Sequence, residues 1–238
     1  MEKQIFESPE DAARGFAGYL LAKHKQSERL TIALSGGSTP KILFDLLASE
    51  FQDEFDWSKI HLFWGDERCV PPTDSDSNYR MTVEHLLSKI EIPAENIHRV
   101  LGENEPQSEA ERYSAELMSS LTIANGLPQF DVITLGMGGD GHTASIFPHE
   151  MELRTDNRIC AIGINPDSGQ QRVTLTGPVI NNAKAVCFLV TGSGKAEKVD
   201  EIFNQDGNYQ DYPATHVRPT HGDLKWFLDK SSAVNLKQ

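Results

Sequence analysis

Leu30-Thr-Ile-Ala-Leu-Ser-Gly-Gly-Ser-Thr-Pro40 carries the information that decides the fold. A short apolar run, of the length of one buried strand, stops at two adjacent glycines, and Pro40 opens a helix with Leu43, Phe44 and Leu47 on one face. Strand, glycine loop and helix start therefore come in immediate succession. Such a junction suits an anion, because bare amides and the positive end of the helix dipole converge at Gly36 and Gly37, and Ser38 and Thr39 add hydroxyl donors. It is not a Walker loop, since the G-x-x-x-x-G-K-[ST] spacing is absent. An ordinary tight βα turn capped by Thr39 would have the same letters, so the surrounding segments decide between the two.

The same succession returns further along. Ala185-Val-Cys-Phe-Leu-Val190 reads as a buried strand, and Thr191-Gly-Ser-Gly-Lys195 leads into a helix over 196–203 with a lysine at its opening. Between them lies Phe130-Asp-Val-Ile-Thr-Leu-Gly-Met-Gly-Gly-Asp-Gly-His-Thr-Ala-Ser-Ile-Phe-Pro148. There a strand over Val132, Ile133 and Leu135 ends in Gly136, Gly138, Gly139 and Gly141, which deliver Asp140 and His142. Each glycine costs roughly 0.5–1 kcal/mol of order relative to alanine, so a cluster of them points to a requirement other than stability. Asp-Gly-His places a carboxylate where it can fix the tautomer of an imidazole that titrates near neutral pH. Gly136-Met-Gly-Gly-Asp-Gly141 also matches the dinucleotide fingerprint. That fingerprint needs a full helix and an acidic residue ending the next strand, whereas Phe147-Pro148 cuts the helix short and Asp156 precedes the next apolar run.

A further strand over 59–64 ends in Gly65-Asp66-Glu67-Arg68, followed by two prolines and Ser77-Asn78-Tyr79. Ligands of parallel sheets sit beyond the carboxyl ends of the strands, so Asp66, Glu67 and Arg68 are expected on the same edge as Gly36 and His142. Helices are read over 8–27, 77–89 and 107–121, and short strands over 97–100, 158–164 and 171–176. Arg172 lies in the last of these, and 213–219 with 224–229 supply a final strand and helix. His61, His85 and His98 are read as structural or surface residues, and His216 and His221 as exposed. Alternating strand and helix predicts an α/β fold, an open, mostly parallel Rossmann-like sheet with helices on both faces, formed as one domain over residues 1–238.

Composition narrows the function. The 238 residues carry a net charge of −13, which repels nucleic acid and anionic membranes, so neither is an expected partner. A small phosphorylated ligand is compatible with that charge. Remote charges are screened beyond about 8 Å, whereas a cation at about 4 Å contributes roughly 4 kcal/mol at an effective dielectric of 20. Neither a long apolar segment nor a leader peptide is apparent, so a cytoplasmic protein is expected. Cys69, Cys160 and Cys187 are odd in number and far apart, which argues against a disulfide framework or a zinc cluster.

Five separated segments together resemble the 6-phosphogluconolactonase family: Leu34-Ser-Gly-Gly-Ser-Thr-Pro40, Trp64-Gly-Asp-Glu-Arg-Cys-Val-Pro71 with Ser77-Asn78-Tyr79, the run from Gly136 to Pro148, Arg172-Val-Thr-Leu-Thr-Gly-Pro178, and Thr191-Gly-Ser-Gly-Lys-Ala196. The family's fold is an open α/β sheet shared with glucosamine-6-phosphate deaminases and ribose-5-phosphate isomerases. The resemblance implies hydrolysis of 6-phospho-D-glucono-1,5-lactone in the pentose phosphate pathway, with neither metal nor organic cofactor. It implies that His142 is the general base, that Asp140 orients it, and that Asp66 assists at the sugar. Arg68, Arg172 and Lys195, with the amides and hydroxyls of Gly36, Gly37, Ser38 and Thr39, would hold the 6-phosphate. Similar deaminases carry a glutamate where this chain has Phe147, which favours the hydrolase. The alternatives are an amino-sugar-phosphate isomerase or deaminase, a non-catalytic sugar-phosphate sensor and, last, a nicotinamide oxidoreductase. The partner expected is the small sugar-phosphate lactone, bound by a monomer or small homo-oligomer.

Overall fold

The computed structural model describes residues 1–236. In chain order they form β1 (Glu2–Phe6), α1 (Pro9–His24), β2 (Leu30–Leu34), α2 (Ser38–Ser49), β3 (Ile60–Trp64), β4 (Asp66–Arg68), α3 (Asn78–Thr82), β5 (Ile97–His98), α4 (Pro106–Ser120), β6 (Thr122–Ala124), β7 (Leu127–Gln129), β8 (Val132–Leu135), β9 (Cys160–Ile164), β10 (Gln171–Leu175), α5 (Gly177–Asn181), β11 (Ala185–Val190), α6 (Ala196–Asn204) and β12 (Asp223–Asp229).

Seven strands make one sheet in the order β1-β12-β11-β8-β2-β3-β5, and every neighbouring pair is parallel. Every residue of β2, β8 and β11 is buried, as a parallel sheet covered on both faces demands, which explains why these strands read as apolar runs and not as alternating patterns. Phe44, Phe63, Phe130 and Phe188 are fully buried in the helix and strand core, each such side chain contributing about 1.5–3 kcal/mol.

The order of the strands places the site. From β2 the chain builds outward through β3 to β5, then returns to the other side of β2 and builds through β8, β11 and β12. The crevice at this reversal opens beyond the carboxyl ends of β2 and β8, the position where open α/β sheets bind ligands. Pairing of β2 with β8 is short, Ile32 with Val132 and Ala33 with Ile133, and is braced from one end by Asp131, whose carboxylate accepts from the Thr31 amide and hydroxyl at 2.8 and 2.9 Å. Past that register the two chains part into Ser35-Gly36 and Gly136-Met137.

Several local expectations need correction. α2 begins at Ser38, two residues before Pro40, because Gly37 at φ +115° makes the turn and serves as N-cap. The strands expected over 158–164 and 171–176 do not join the main sheet; β9 and β10 form a separate antiparallel sheet with β4, the continuation of β3 past Gly65. In the tail, Pro213–His216 is a single 3-10 turn and β12 is a strand between β1 and β11, so no α-helix follows α6 among the described residues. Largely exposed β1 escapes notice because an edge strand need not be apolar. His61 and His98 are hydrogen-bonded structural residues: His61 Nδ1 lies 3.1 Å from His98 Nε2, and His98 Nδ1 lies 3.0 Å from Glu116 Oε1.

Candidate active site

Four loops leave the carboxyl ends of β2, β3, β8 and β11 and enclose a cavity of about 220 Å³. From the first come Gly36, Gly37, Ser38 and Thr39; from the second Asp66 and Arg68; from the third His142; from the fourth Lys195. Arg172 enters from β10. Asp140, the remaining expected residue, does not line the cavity but holds His142, whose Nδ1 lies 2.6 Å from Asp140 Oδ1. The same oxygen accepts the His142 amide at 3.1 Å, so the carboxylate grips both ends of its neighbour.

This pair fixes a proton. Burial pushes the Asp140 carboxyl up, but the hydrogen bond and charge of His142 outweigh it and hold the group down at about 2. An ionised carboxylate only accepts, so Nδ1 must carry the hydrogen and Nε2 keeps its lone pair in the neutral ring. Two glycines are required for this geometry. A Cβ on Gly138 would stand 2.1 Å from His142 Nδ1 and 2.5 Å from Asp140 Oδ1. Gly141 adopts φ +84°, and a Cβ there would meet the ring of Tyr212. Gly139 meets nothing, so the glycine count overstates the need at that position.

The cations are arranged against their own mutual interest. Arg68 and Arg172 lie directly opposite each other across the β4–β10 pair, where like charges repel. Burial, then the charge of Arg68, depresses the Arg172 guanidinium, and the Nε of each arginine is buried with no partner. Burial also lowers Lys195, with Asp140 opposing. Three cations thus face one carboxylate, Asp66, among the charged residues lining the cavity. Neither α2 nor α6 has a side-chain cap at its N-terminus, so free amides add to the positive potential. The arrangement suits a small oxyanion carried past an imidazole base.

Some contributing residues had no role assigned from the sequence. Glu67 is 2 % exposed and accepts from the Arg68, Asn78 and Tyr79 amides at 2.7, 2.8 and 2.7 Å and from Ser77 Oγ at 3.1 Å. Burial pushes its carboxyl up while those amides pull it back. It ties the loop after β4 to α3 and so presents Arg68 and Asn78. Asn78 lines the cavity, donates to the Asp66 carbonyl at 2.9 Å, and lies so close to Gly36 that a Cβ there would fall 1.8 Å from its Oδ1. Ser145 Oγ donates to Asp66 Oδ2 at 2.7 Å, and the Thr39 and Thr191 hydroxyls meet at 2.9 Å. Burial of polar residues was the missing signal; Ser77-Asn78-Tyr79 and Ser145 stand inside the quoted motifs without any local pattern to assign them a role.

Among the described residues no group of three or more histidine, cysteine, aspartate or glutamate side chains is placed to hold a metal ion, and no helix is long and apolar enough to cross a membrane. His216 and His221 do not line the cavity; His216 Nε2 instead bonds the Gln210 carbonyl at 2.8 Å.

Comparison with known proteins identifies the family and the fold. The family model of glucosamine-6-phosphate isomerases/6-phosphogluconolactonase matches residues 7–226. A 6-phosphogluconolactonase of Treponema pallidum is 46 % identical over 206 residues, covering 85 % of this chain and 84 % of the relative. Among solved structures, the devB protein superposes with a TM-score of 0.95 at 43 % identity, covering 99 % of both chains. The 6-phosphogluconolactonase of Trypanosoma brucei superposes with a TM-score of 0.87 at 31 % identity, covering 99 % of this chain and 98 % of that one.

Proposed function

The chain belongs to the glucosamine-6-phosphate isomerase/6-phosphogluconolactonase family, and from that premise we propose that His142 is the base of a lactone hydrolase. The protein is an enzyme that hydrolyses 6-phosphogluconolactone to 6-phosphogluconate in the pentose phosphate pathway. One observation carries the mechanistic reading: an imidazole with Nδ1 tied to an ionised aspartate at 2.6 Å, in a cavity with three cations.

In this mechanism the His142 Nε2 lone pair takes a proton from water as the oxygen attacks the lactone carbonyl carbon. Asp140, already ionised, stabilises the imidazolium that forms. The tetrahedral adduct collapses with cleavage of the bond to the ring oxygen, which receives the proton from His142, and the product is the open carboxylic acid. Asp66, held by Ser145, takes a sugar hydroxyl. Arg68, Arg172, Lys195 and the amides at the start of α2 take the phosphate dianion, which relieves the repulsion between the two arginines. The amino-sugar reading lacks its acid, because Phe147 stands at that position and is fully buried. The protein is further read as a cytoplasmic single-domain enzyme acting as a monomer or small homo-oligomer.

The test uses freshly prepared lactone with the uncatalysed rate in buffer subtracted. His142→Ala is expected to lower kcat by about 10²–10⁴-fold, the range for one positioned acid or base. Lys195→Ala is expected to act mainly on KM. A His142→Ala enzyme with undiminished kcat refutes the base assignment.

A further inference from the structure

We propose that Phe147 is a positioning residue that orients the base and the buried phosphate-binding arginine together. The inference deepens the hydrolase reading and rests on it. The Phe147 ring is fully buried at the end of the glycine-rich segment, just before the 3-10 turn that starts at Pro148. Its centroid lies 4.7 Å from that of the His142 ring, tilted by 47°, and the Arg172 guanidinium carbon stands 5.5 Å from the same ring. His149 stacks nearby at 5.8 Å. No other side chain is within aromatic or cation–π reach of both groups among the described residues.

The two contacts act on different parts of the reaction. Asp140 holds the Nδ1 edge of His142, and the Phe147 ring packs against the imidazole and adds a second restraint on its orientation. The Arg172 Nε is unsatisfied, and its opposite number in the sheet is another arginine. The negative face of the aromatic ring then adds a close attractive contact to the more distant pull of Asp66, Asp76 and Glu67 before substrate arrives. A buried contact of this kind changes an equilibrium by about 3- to 30-fold. An aliphatic side chain of similar size fills the space but supplies neither the flat surface nor the quadrupole.

The experiment compares wild type, Phe147→Leu and Phe147→Tyr, each checked for folding by thermal melting. Phe147→Leu is expected to lower kcat and raise KM, each by about 3- to 30-fold, while Phe147→Tyr keeps both within about 3-fold. In an Arg172→Ala background the further rise in KM on Phe147→Leu is expected to disappear, since the partner is already gone. A folded Phe147→Leu enzyme with wild-type kcat and KM overturns the proposal. So does a Phe147→Tyr enzyme as impaired as Phe147→Leu, because the ring face would then not be the cause. Wild-type turnover above the buffer rate is measured first. Its absence sinks the hydrolase reading alone, and Phe147 is then judged by calorimetric affinity for 6-phosphogluconate, expected to fall in Phe147→Leu and unchanged if the proposal is wrong.

Discussion

Glu67→Gln tests how the substrate-binding loop is held. In the wild type Glu67 Oε1 accepts the Arg68 and Asn78 amides, and Oε2 accepts the Tyr79 amide and the Ser77 hydroxyl. Glutamine keeps one acceptor oxygen and presents an NH2 group to the other two donors. The Ser77 hydroxyl has freedom to turn and accept, but the Tyr79 amide cannot, so one buried N–H is left facing another. An unsatisfied buried donor costs about 1–3 kcal/mol, and the loss of charge-assisted bonds adds to it, while relief of the buried charge subtracts. A net destabilisation of about 2 kcal/mol is expected, which for a chain of this size lowers Tm by roughly 4–8 °C. Urea unfolding followed by tryptophan fluorescence reads the stability, with the slope unchanged. Because Arg68 and Asn78 flank the loop, KM for the lactone should rise by about 3- to 10-fold, with kcat altered less than about 3-fold. A variant whose stability stays within about 0.5 kcal/mol of wild type and whose KM is unaltered would show that the carboxylate does not organise this loop.

Gly138→Ala introduces a methyl where His142 and Asp140 already stand, and is expected to reduce kcat by about 10²-fold or more, whereas Gly139→Ala, with open space around it, should stay near wild type. Equal kinetics for the two variants would refute the packing argument. The depressed Asp140 carboxyl makes stability depend on pH with a definite sign. Its contribution is fully present above the ordinary aspartate value of 3.8 and is lost as pH falls toward about 2. The difference in urea stability between wild type and Asp140→Asn should therefore shrink as the pH is lowered from about 5 toward about 2. A difference that grew on acidification would contradict the assigned sign.

The alternation of strand and helix, the carboxyl-end glycine loops and the identity of most cavity residues were legible in the sequence because their signals are local. Leu30 to Pro40 announces a strand, a turn and a helix within one stretch, and a glycine that must approach an imidazole closely is written beside that imidazole. Where the signal was weak the reading slipped: exposed β1 lacks an apolar pattern, and β12 was entangled with the turn at Pro213–His216. What only the tertiary structure decided is which distant side chains meet. Arg68 faces Arg172 because β4 and β10 pair in one antiparallel register, and Phe147 touches both His142 and Arg172 because the segment after β8 packs against β10. Register and convergence are set by the summed burial of the whole sheet, and no short stretch of residues encodes a sum of that kind.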